Sequence, residues 1–212
     1  MTPMNEYQKN LERIKPFITR PENECPPVTE PSFWLNDVTQ PDGSKKMEIA
    51  FTSKPTWLKL QQDFGHACSF FPIDGKGGVF DKKGLLVTDI NRFAYEETGP
   101  NGIRETKTPG DCDCLILDEV WRFMEFKTDA ISSKDLQANN NRAKAEAQLA
   151  KSMWSFRERL GSNTFKCHCV LVVPLSFPKQ KASSLPRAEK FRKRFDCPLF
   201  ELQPGNMSYD LK

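Results

Sequence analysis

The sequence is poor in histidine and lacks long apolar runs. Because only two histidines occur, a Ser-His-Asp or Cys-His catalytic system has little support. No apolar run approaches the roughly 20 residues that span a bilayer, and the first residues lack the apolar core of a signal peptide. The phosphate-binding pattern GxxxxGK(S/T) is also absent, which argues against ATP-driven work. We therefore expect a cytoplasmic protein without membrane contact.

The chain also lacks a strong net charge and a regular cysteine framework. The formal charge is +3, so the distribution of charge says more about partners than its sum. Seven cysteines form an odd, irregular set, and reduced thiols are expected. One alternative is a zinc-stabilised interaction protein, with Cys112-x-Cys114 and Cys167-His168-Cys169 supplying the ligands.

The composition is that of an ordinary globular protein. Hydrophobic residues make up 38% and charged residues 28% of the 212 residues, enough for one domain with a full core. Residues 4–18 have helical spacing that Pro16 must interrupt, and a proline-rich segment covers 21–41. We expect an N-terminal helix and extended arm over 1–45, followed by a single domain over 46–212.

Apolar periodicity predicts the elements of that domain. A long helix between two buried strands is typical of a crossover, which makes those strands parallel. The predicted fold class is therefore α/β, with a central mixed sheet of a three-strand antiparallel meander plus a parallel strand, flanked by helices. The predicted elements are a strand at 46–52, a helix at 55–71, short strands around Lys83-Gly84 and at 85–90, a turn at 99–102, strands at 112–117 and 120–127, a helix from Ser132 or Ser133 to about 160 ended by Gly161, a strand at 165–177, a basic helix at 186–195 and a strand at 197–202.

Charged residues gather at one end of the hairpin that the strands 112–117 and 120–127 would form. Because side chains alternate along a strand, Glu125 and Lys127 share a face. Asp113 begins the preceding strand, beside the end of the other. A two-residue turn would leave Asp113 and Glu125 on opposite faces, whereas a three-residue loop at 118–120, or a bulge, pairs them.

If they pair, the two carboxylates repel unless a cation lies between them. Oxygen ligands favour Mg²⁺ or Mn²⁺ over zinc, and the Phe126 carbonyl can complete the coordination. Such an ion polarises a phosphate and activates water, while Lys127 orients that water or neutralises developing charge. The pattern predicts phosphodiester hydrolysis with Asp113, Glu125 and Lys127 as catalytic residues.

These residues resemble a known family. The stretch TPGDCDCLILDEVWRFMEFKTD, with Asp113 followed after eleven residues by Glu125-Phe126-Lys127, is similar to the PD-(D/E)XK nuclease superfamily, although Pro109 lies four residues before Asp113. The resemblance covers roughly residues 55–175. It implies a restriction-endonuclease-like core, Mg²⁺ dependence, Asp113 and Glu125 as metal ligands and Lys127 as the catalytic lysine. It also suggests two accessory residues, Asp63 on the predicted helix 55–71 and Gln148 on the long helix.

Basic residues dominate the segment 179–194, where nucleic-acid contact is one interpretation and a solvated helix face the other. The candidate phosphate-binding residues are Lys190, Arg192, Lys193 and Arg194. The resemblance favours DNA over RNA. The sequence offers no visible helicase or end-threading module, which favours an endonuclease, and a homodimer would let two sites cut both strands. The rival hypothesis is a catalytically inactive nucleic-acid- or protein-binding module on the same fold.

Overall fold

The computed structural model describes residues 3–19, 26–63, 66–75, 77–83, 85–128, 135–161, 165–177, 185–204 and 208–211. They form an α/β fold with a six-stranded sheet, a four-stranded sheet and a two-stranded hairpin. The helices and strands are α1 (Glu6–Ile14), β1 (Pro27–Val28), β2 (Ser32–Thr39), β3 (Lys45–Ala50), β4 (Leu58–Gln62), β5 (Cys68–Pro72), β6 (Tyr95–Thr98), β7 (Arg104–Lys107), β8 (Cys114–Leu117), β9 (Trp121–Phe126), α2 (Asp135–Leu160), β10 (Cys167–Val172), α3 (Leu185–Phe195), β11 (Leu199–Leu202) and β12 (Ser208–Leu211).

The central sheet has the strand order β1-β5-β8-β9-β10-β11. Strands β5, β8 and β9 form an antiparallel meander, and β10 and β11 continue the sheet in parallel with β9. The long helix α2 connects β9 to β10, as a parallel connection requires. The predicted mixed sheet of a meander plus a parallel strand is confirmed.

Both faces of the central hairpin are buried, because β8 and β9 are apolar on both sides. One face, including Leu115 and Phe123, packs against the three helices. The other face, including Ile116 and Met124, packs against a second sheet of order β12-β4-β2-β3. Helices therefore cover one face of the central sheet, and strands cover the other.

The helix predicted over 55–71 is wrong. The segment contains β4, β5 and a loop between them, of which residues 64 and 65 lie outside the described residues. In β4, Leu58, Leu60 and Gln62 alternate inward with half-buried neighbours, which is the period of a strand. Over so short a segment, the same apolar residues also match helical spacing. Packing of β4 against the β8–β9 hairpin favours the strand over the helix.

The strand predicted over 85–90 is also wrong. A 3₁₀ helix at Ile90–Phe93 occupies the end of that segment, and β5 supplies the first strand of the meander. Residue 84 lies outside the described residues. The turn predicted at 99–102 is confirmed, since it joins β6 to β7 and Gly102 has the positive φ of 78° that such turns favour.

The N-terminal segment differs from the expected extended arm. Helix α1 ends before a 3₁₀ turn that contains Pro16, as the proline predicted. Strand β2, however, pairs with β3 along its length, from Trp34↔Ala50 to Thr39↔Lys45. The predicted boundary between residues 45 and 46 therefore falls within a paired hairpin. Phe33 and Leu35 of β2 are fully buried under the central sheet.

Most of the other elements predicted from the sequence are confirmed. The predicted strand at 46–52 and the elements after residue 112 are all present, with α2 ending at Gly161, where φ is 92°. The predicted capping serines 132 and 133 lie outside the described residues. In the part of the chain that the structure describes, no helix has both the length and the apolar character needed to cross a bilayer.

Candidate active site

The loop between β8 and β9 has three residues, 118–120. Leu117 pairs with Trp121 and Cys114 with Met124. The Asp118 carboxylate accepts from the Val120 amide at 2.7 Å and contacts the Arg122 guanidinium on β9. The buried Asp118 carboxylate thus stabilises the conformation of the loop. The register is therefore the one that brings the start of β8 level with Glu125.

The ladder becomes irregular at Asp113. Its amide donates to the Met124 carbonyl at 3.1 Å, although Met124 is the pairing partner of Cys114. Cys112 also packs on the helix side and Cys114 on the opposite side, which departs from simple alternation. The Asp113 carboxylate accepts from the Phe126 amide at 2.6 Å. Asp113 is thereby fixed beside the Glu125–Phe126 peptide.

Glu125 is a buried carboxylate with one unsatisfied oxygen. Its side chain is 1% exposed, Oε1 contacts the Lys127 ammonium, and Oε2 has no hydrogen-bond partner among the described residues. Burial raises the pKa of Glu125 to about 7, although Lys127 lowers it in part. A buried carboxylate oxygen without a donor is costly, and a cation is one partner that would satisfy it.

The electrostatics of Asp113 depend on Glu125. Burial raises the pKa of Asp113 well above its usual range, and the negative charge of Glu125 raises it further. The hydrogen bond from the Phe126 amide and the charge of Lys127 oppose this shift. The two carboxylates therefore repel each other, which is the condition that a shared cation relieves.

Helix α2 holds Lys127 in place through Gln148. Lys127 Nζ donates to Gln148 Oε1 at 3.2 Å, and Gln148 Nε2 donates to the Asp111 carbonyl at 2.8 Å. Lys151, one turn further along, pairs with the Asp111 carboxylate at 2.7 Å. The structure thus brings Asp113, Glu125, Lys127 and the accessory candidate Gln148 together.

The second accessory candidate, Asp63, lies elsewhere. The helix on which it was expected is absent, and Asp63 follows β4 on the connection to β5. That connection is at the turn end of the hairpin, because Ser69 pairs with Leu117 while Pro72 pairs with Cys114. Its neighbour His66 accordingly contacts Asp118, 3.2 Å away. Asp63 is excluded from the candidate site.

Asp74 is a site residue that the sequence did not identify. It follows β5, and its amide donates to the Asp113 carbonyl at 3.3 Å. Burial would raise the pKa of Asp74, but hydrogen bonds from Lys82 and the Gly75 amide outweigh burial and lower it. The negative charge of Asp74 contributes to the raised pKa of Glu125. Finding Asp74 from sequence requires knowing that β5 is a strand.

The four basic candidates are on α3, where the side chains of Lys190, Arg192, Lys193 and Arg194 are exposed. Lys193 pairs with Glu189 at 2.6 Å, and the Arg194 guanidinium donates to the Arg92 carbonyl. These residues do not contact Asp113, Glu125 or Lys127 within the described structure. They form a separate basic surface.

Few of the described side chains near Asp113 and Glu125 could serve as additional metal ligands. Among the described residues, no group of three or more His, Cys, Asp or Glu side chains is arranged to hold a metal ion. Of the cysteines proposed as zinc ligands, Cys112 and Cys114 belong to opposite faces of the sheet. Asp113 and Glu125 remain as a carboxylate pair to which a backbone carbonyl, such as that of Phe126, and solvent can be added.

Comparison with known proteins adds no relative: no family model, curated protein or solved structure matches the chain. The fold and the site thus define an α/β protein with a carboxylate pair and a lysine at the open end of its central hairpin.

Proposed function

We propose that the chain is a metal-dependent nuclease of the PD-(D/E)XK type that hydrolyses phosphodiester bonds in DNA. The observation that carries the proposal is the buried Glu125, whose Oε2 has no hydrogen-bond partner while Oε1 contacts Lys127. Asp113, whose pKa the charge of Glu125 raises, lies at the same end of the hairpin. Acid, acid and lysine are the residues that this chemistry needs.

The donor set fits Mg²⁺ or Mn²⁺. Asp113, Glu125 and the Phe126 carbonyl would hold the ion, and hard oxygen ligands without a thiolate or imidazole suit either metal. When bound, the ion supplies Lewis-acid polarisation of the phosphate and a more acidic water molecule. The unsatisfied Oε2 of Glu125 is the structural feature that such an ion would complete.

Lys127 supplies the fixed positive charge of the site. Its ammonium lies between Glu125 Oε1 and Gln148 Oε1, so its position is set from both sides. A lysine held beside the scissile phosphate stabilises negative charge that develops on phosphate oxygens during hydrolysis. Gln148 acts as a positioning residue, because its hydrogen bonds join Lys127 to the Asp111 carbonyl.

The direct test is incubation of plasmid and single-stranded DNA with Mg²⁺ or Mn²⁺. We expect cleavage that EDTA abolishes and that Asp113→Ala and Lys127→Ala remove. Relaxed circles and linear products from plasmid would support endonuclease action, and an RNA substrate in parallel tests the preference for DNA. Equal cleavage by the wild type and both variants would contradict the site.

The competing proposal is a binding module in which the Glu125–Lys127 contact is only a buried ion pair. The specific observation in its favour is that Lys127 already partly neutralises Glu125. A binding module would retain DNA affinity in EDTA and show no cleavage with any divalent metal. A homodimer, which would cut both strands together, is distinguished by sedimentation velocity at the concentration used for cleavage.

The pH dependence of metal use follows from Glu125. A carboxylate must be ionised to bind a cation, and the pKa of Glu125 is about 7 in the metal-free protein. Below pH 7 protons compete with the metal for Glu125 and for Asp113, whose pKa is also raised, so the Mg²⁺ concentration for half-maximal cleavage is expected to rise at least about tenfold per pH unit. Above about pH 8 it should level off. Cleavage measured across Mg²⁺ concentrations at pH 6, 7 and 8 checks this, and a constant half-saturation would contradict it.

Gln148 offers a test of positioning. Gln148→Leu removes both the acceptor for Lys127 and the donor to the Asp111 carbonyl, so we expect kcat to fall about 10- to 100-fold. Half-saturation by Mg²⁺ should change much less, because Gln148 does not hold the metal. Gln137→Leu, at an exposed position on the same helix, is the matched control. A loss of thermal stability with unchanged kcat would indicate a purely structural role.

A further inference from the structure

The basic residues of helix α3 lie on two different faces, one that lines a groove and one that faces solvent. Arg187, Lys190 and Arg194 line a groove beside α2. Arg192 and Lys193, also exposed, do not line it. Residues three and four apart share one side of a helix, which explains the division. A run of positive charge in sequence is therefore split into a groove face and a solvent face.

The groove itself is largely apolar. Ala143 and Ala147 of α2 contribute small side chains to its lining, and Tyr95 contributes an accessible ring beside the core residues Phe93 and Phe191. Phe93 and Phe191 are buried, whereas Tyr95 at the start of β6 is half-buried. Aromatic surface next to cationic side chains is the combination that binds unpaired bases and their phosphates.

The cationic side chains that line the groove differ in whether they form ion pairs within the protein. The Arg187 guanidinium pairs with Glu146 of α2, so its charge is largely used within the protein. Lys190 has no acidic side chain within salt-bridge distance among the described residues. Arg194 donates one N–H to the Arg92 carbonyl, which fixes the guanidinium while its charge remains. Lys190 and Arg194 thus present positive charge to a ligand.

The groove and the candidate active site both use α2. Ala147 in the groove lining precedes Gln148, which hydrogen-bonds to Lys127. Burial raises the pKa of Tyr95 in the same lining, and the charge of Lys127 is among the charges that oppose this shift. The groove and Lys127 therefore lie on the α2 side of the central sheet.

We propose that this groove binds a single-stranded segment of DNA and leads it to Glu125 and Lys127, an inference that rests on the proposed nuclease function. The bases would contact the aromatic and alanine surface, and the phosphates would contact Lys190 and Arg194. A duplex keeps its bases stacked inside and offers the apolar surface nothing to contact. The proposed substrate is thus DNA that is unpaired on at least one side of the cleaved bond.

Binding can be tested separately from cleavage. Fluorescence anisotropy in EDTA would compare a fluorescein-labelled oligothymidylate with a duplex of equal length. The variant Lys190→Glu/Arg194→Glu is expected to weaken single-strand binding at least about tenfold and to reduce the salt slope by about 1.4, roughly 0.7 for each of two phosphates. The matched control Arg192→Glu/Lys193→Glu makes the same charge change on the solvent face, and we expect less than about a threefold effect.

Three results would contradict the proposal that the groove binds single-stranded DNA. They are tighter binding of duplex than of single strand, an equal loss of affinity in both double variants, and no single-strand binding. Because no metal is present, these outcomes do not depend on whether the protein cleaves DNA, and cleavage without groove-dependent binding would leave the nuclease proposal standing. Photocrosslinking of wild-type protein to a bromodeoxyuridine oligonucleotide avoids any folding defect of the variants. A crosslink at Tyr95 supports the groove, and crosslinks confined to other surfaces contradict it.

Discussion

Glu125→Gln is expected to reduce Mg²⁺-dependent DNA cleavage by about 10³-fold or more, since residues that act as a unit in catalysis show losses of this order. Glutamine preserves the size of the side chain but removes the negative charge that holds a cation and pairs with Lys127. The substitution also removes a buried carboxylate whose pKa is raised to about 7. The folded protein should therefore be no less stable at pH 8 while its activity is lost.

The matched control is Glu119→Gln on the same hairpin. Glu119 is exposed in the 118–120 loop, at the opposite end from Glu125. This change should leave cleavage within about twofold of wild type, as expected for a surface position without partners in catalysis. Single-turnover cleavage rates with saturating Mg²⁺ measure both variants. Comparable rates for Glu125→Gln and Glu119→Gln would remove Glu125 from the mechanism.

Asp118→Ala is expected to destabilise the protein by about 3–5 kcal/mol, the usual cost of removing one member of a buried ion pair. Asp118 is 0% and Arg122 1% exposed, and their side chains contact each other. The same carboxylate accepts from the Val120 amide and contacts His66. Its loss therefore also loosens the three-residue loop that sets the register of β8 and β9.

Chemical denaturation monitored by circular dichroism measures this effect. Glu119→Ala, the exposed neighbour, should change the free energy of unfolding by no more than about 0.5 kcal/mol. The double variant Asp118→Ala/Arg122→Met should recover much of the lost stability, because no unpaired charge then remains buried. If Asp118→Ala is as stable as Glu119→Ala, the buried pair does not hold the loop.

The hairpin and its neighbours were predictable because their sequence pattern is unambiguous. The strands β8 and β9 are apolar on both faces, and α2 ends at a glycine with positive φ. The segment 55–71 was not predictable in the same way, because its short apolar spacing suits a helix and a strand alike. Packing of Leu58 and Leu60 on the central sheet selects the strand. That choice depends on residues far away in sequence.

Some residues of the candidate site were predictable from local sequence, and others were not. Alternation along β9 was enough to predict that Glu125 and Lys127 share a face, whereas the position of Asp113 depended on the turn. Asp118, read as an ordinary turn residue, closes that turn through buried contacts with Val120 and Arg122 that no local pattern reveals. Asp74 and the groove beside α3 arise only when distant segments pack together. Tertiary contacts, rather than local propensity, complete the site.

Anomalous diffraction from crystals grown with Mn²⁺ would show whether Asp113 and Glu125 share a divalent cation. We expect an anomalous peak within coordination distance of the Asp113 carboxylate and Glu125 Oε2, and its disappearance in Glu125→Gln. Fully ordered Asp113 and Glu125 side chains with no Mn²⁺ between them, and with Lys127 still in contact with Glu125, would contradict a shared cation.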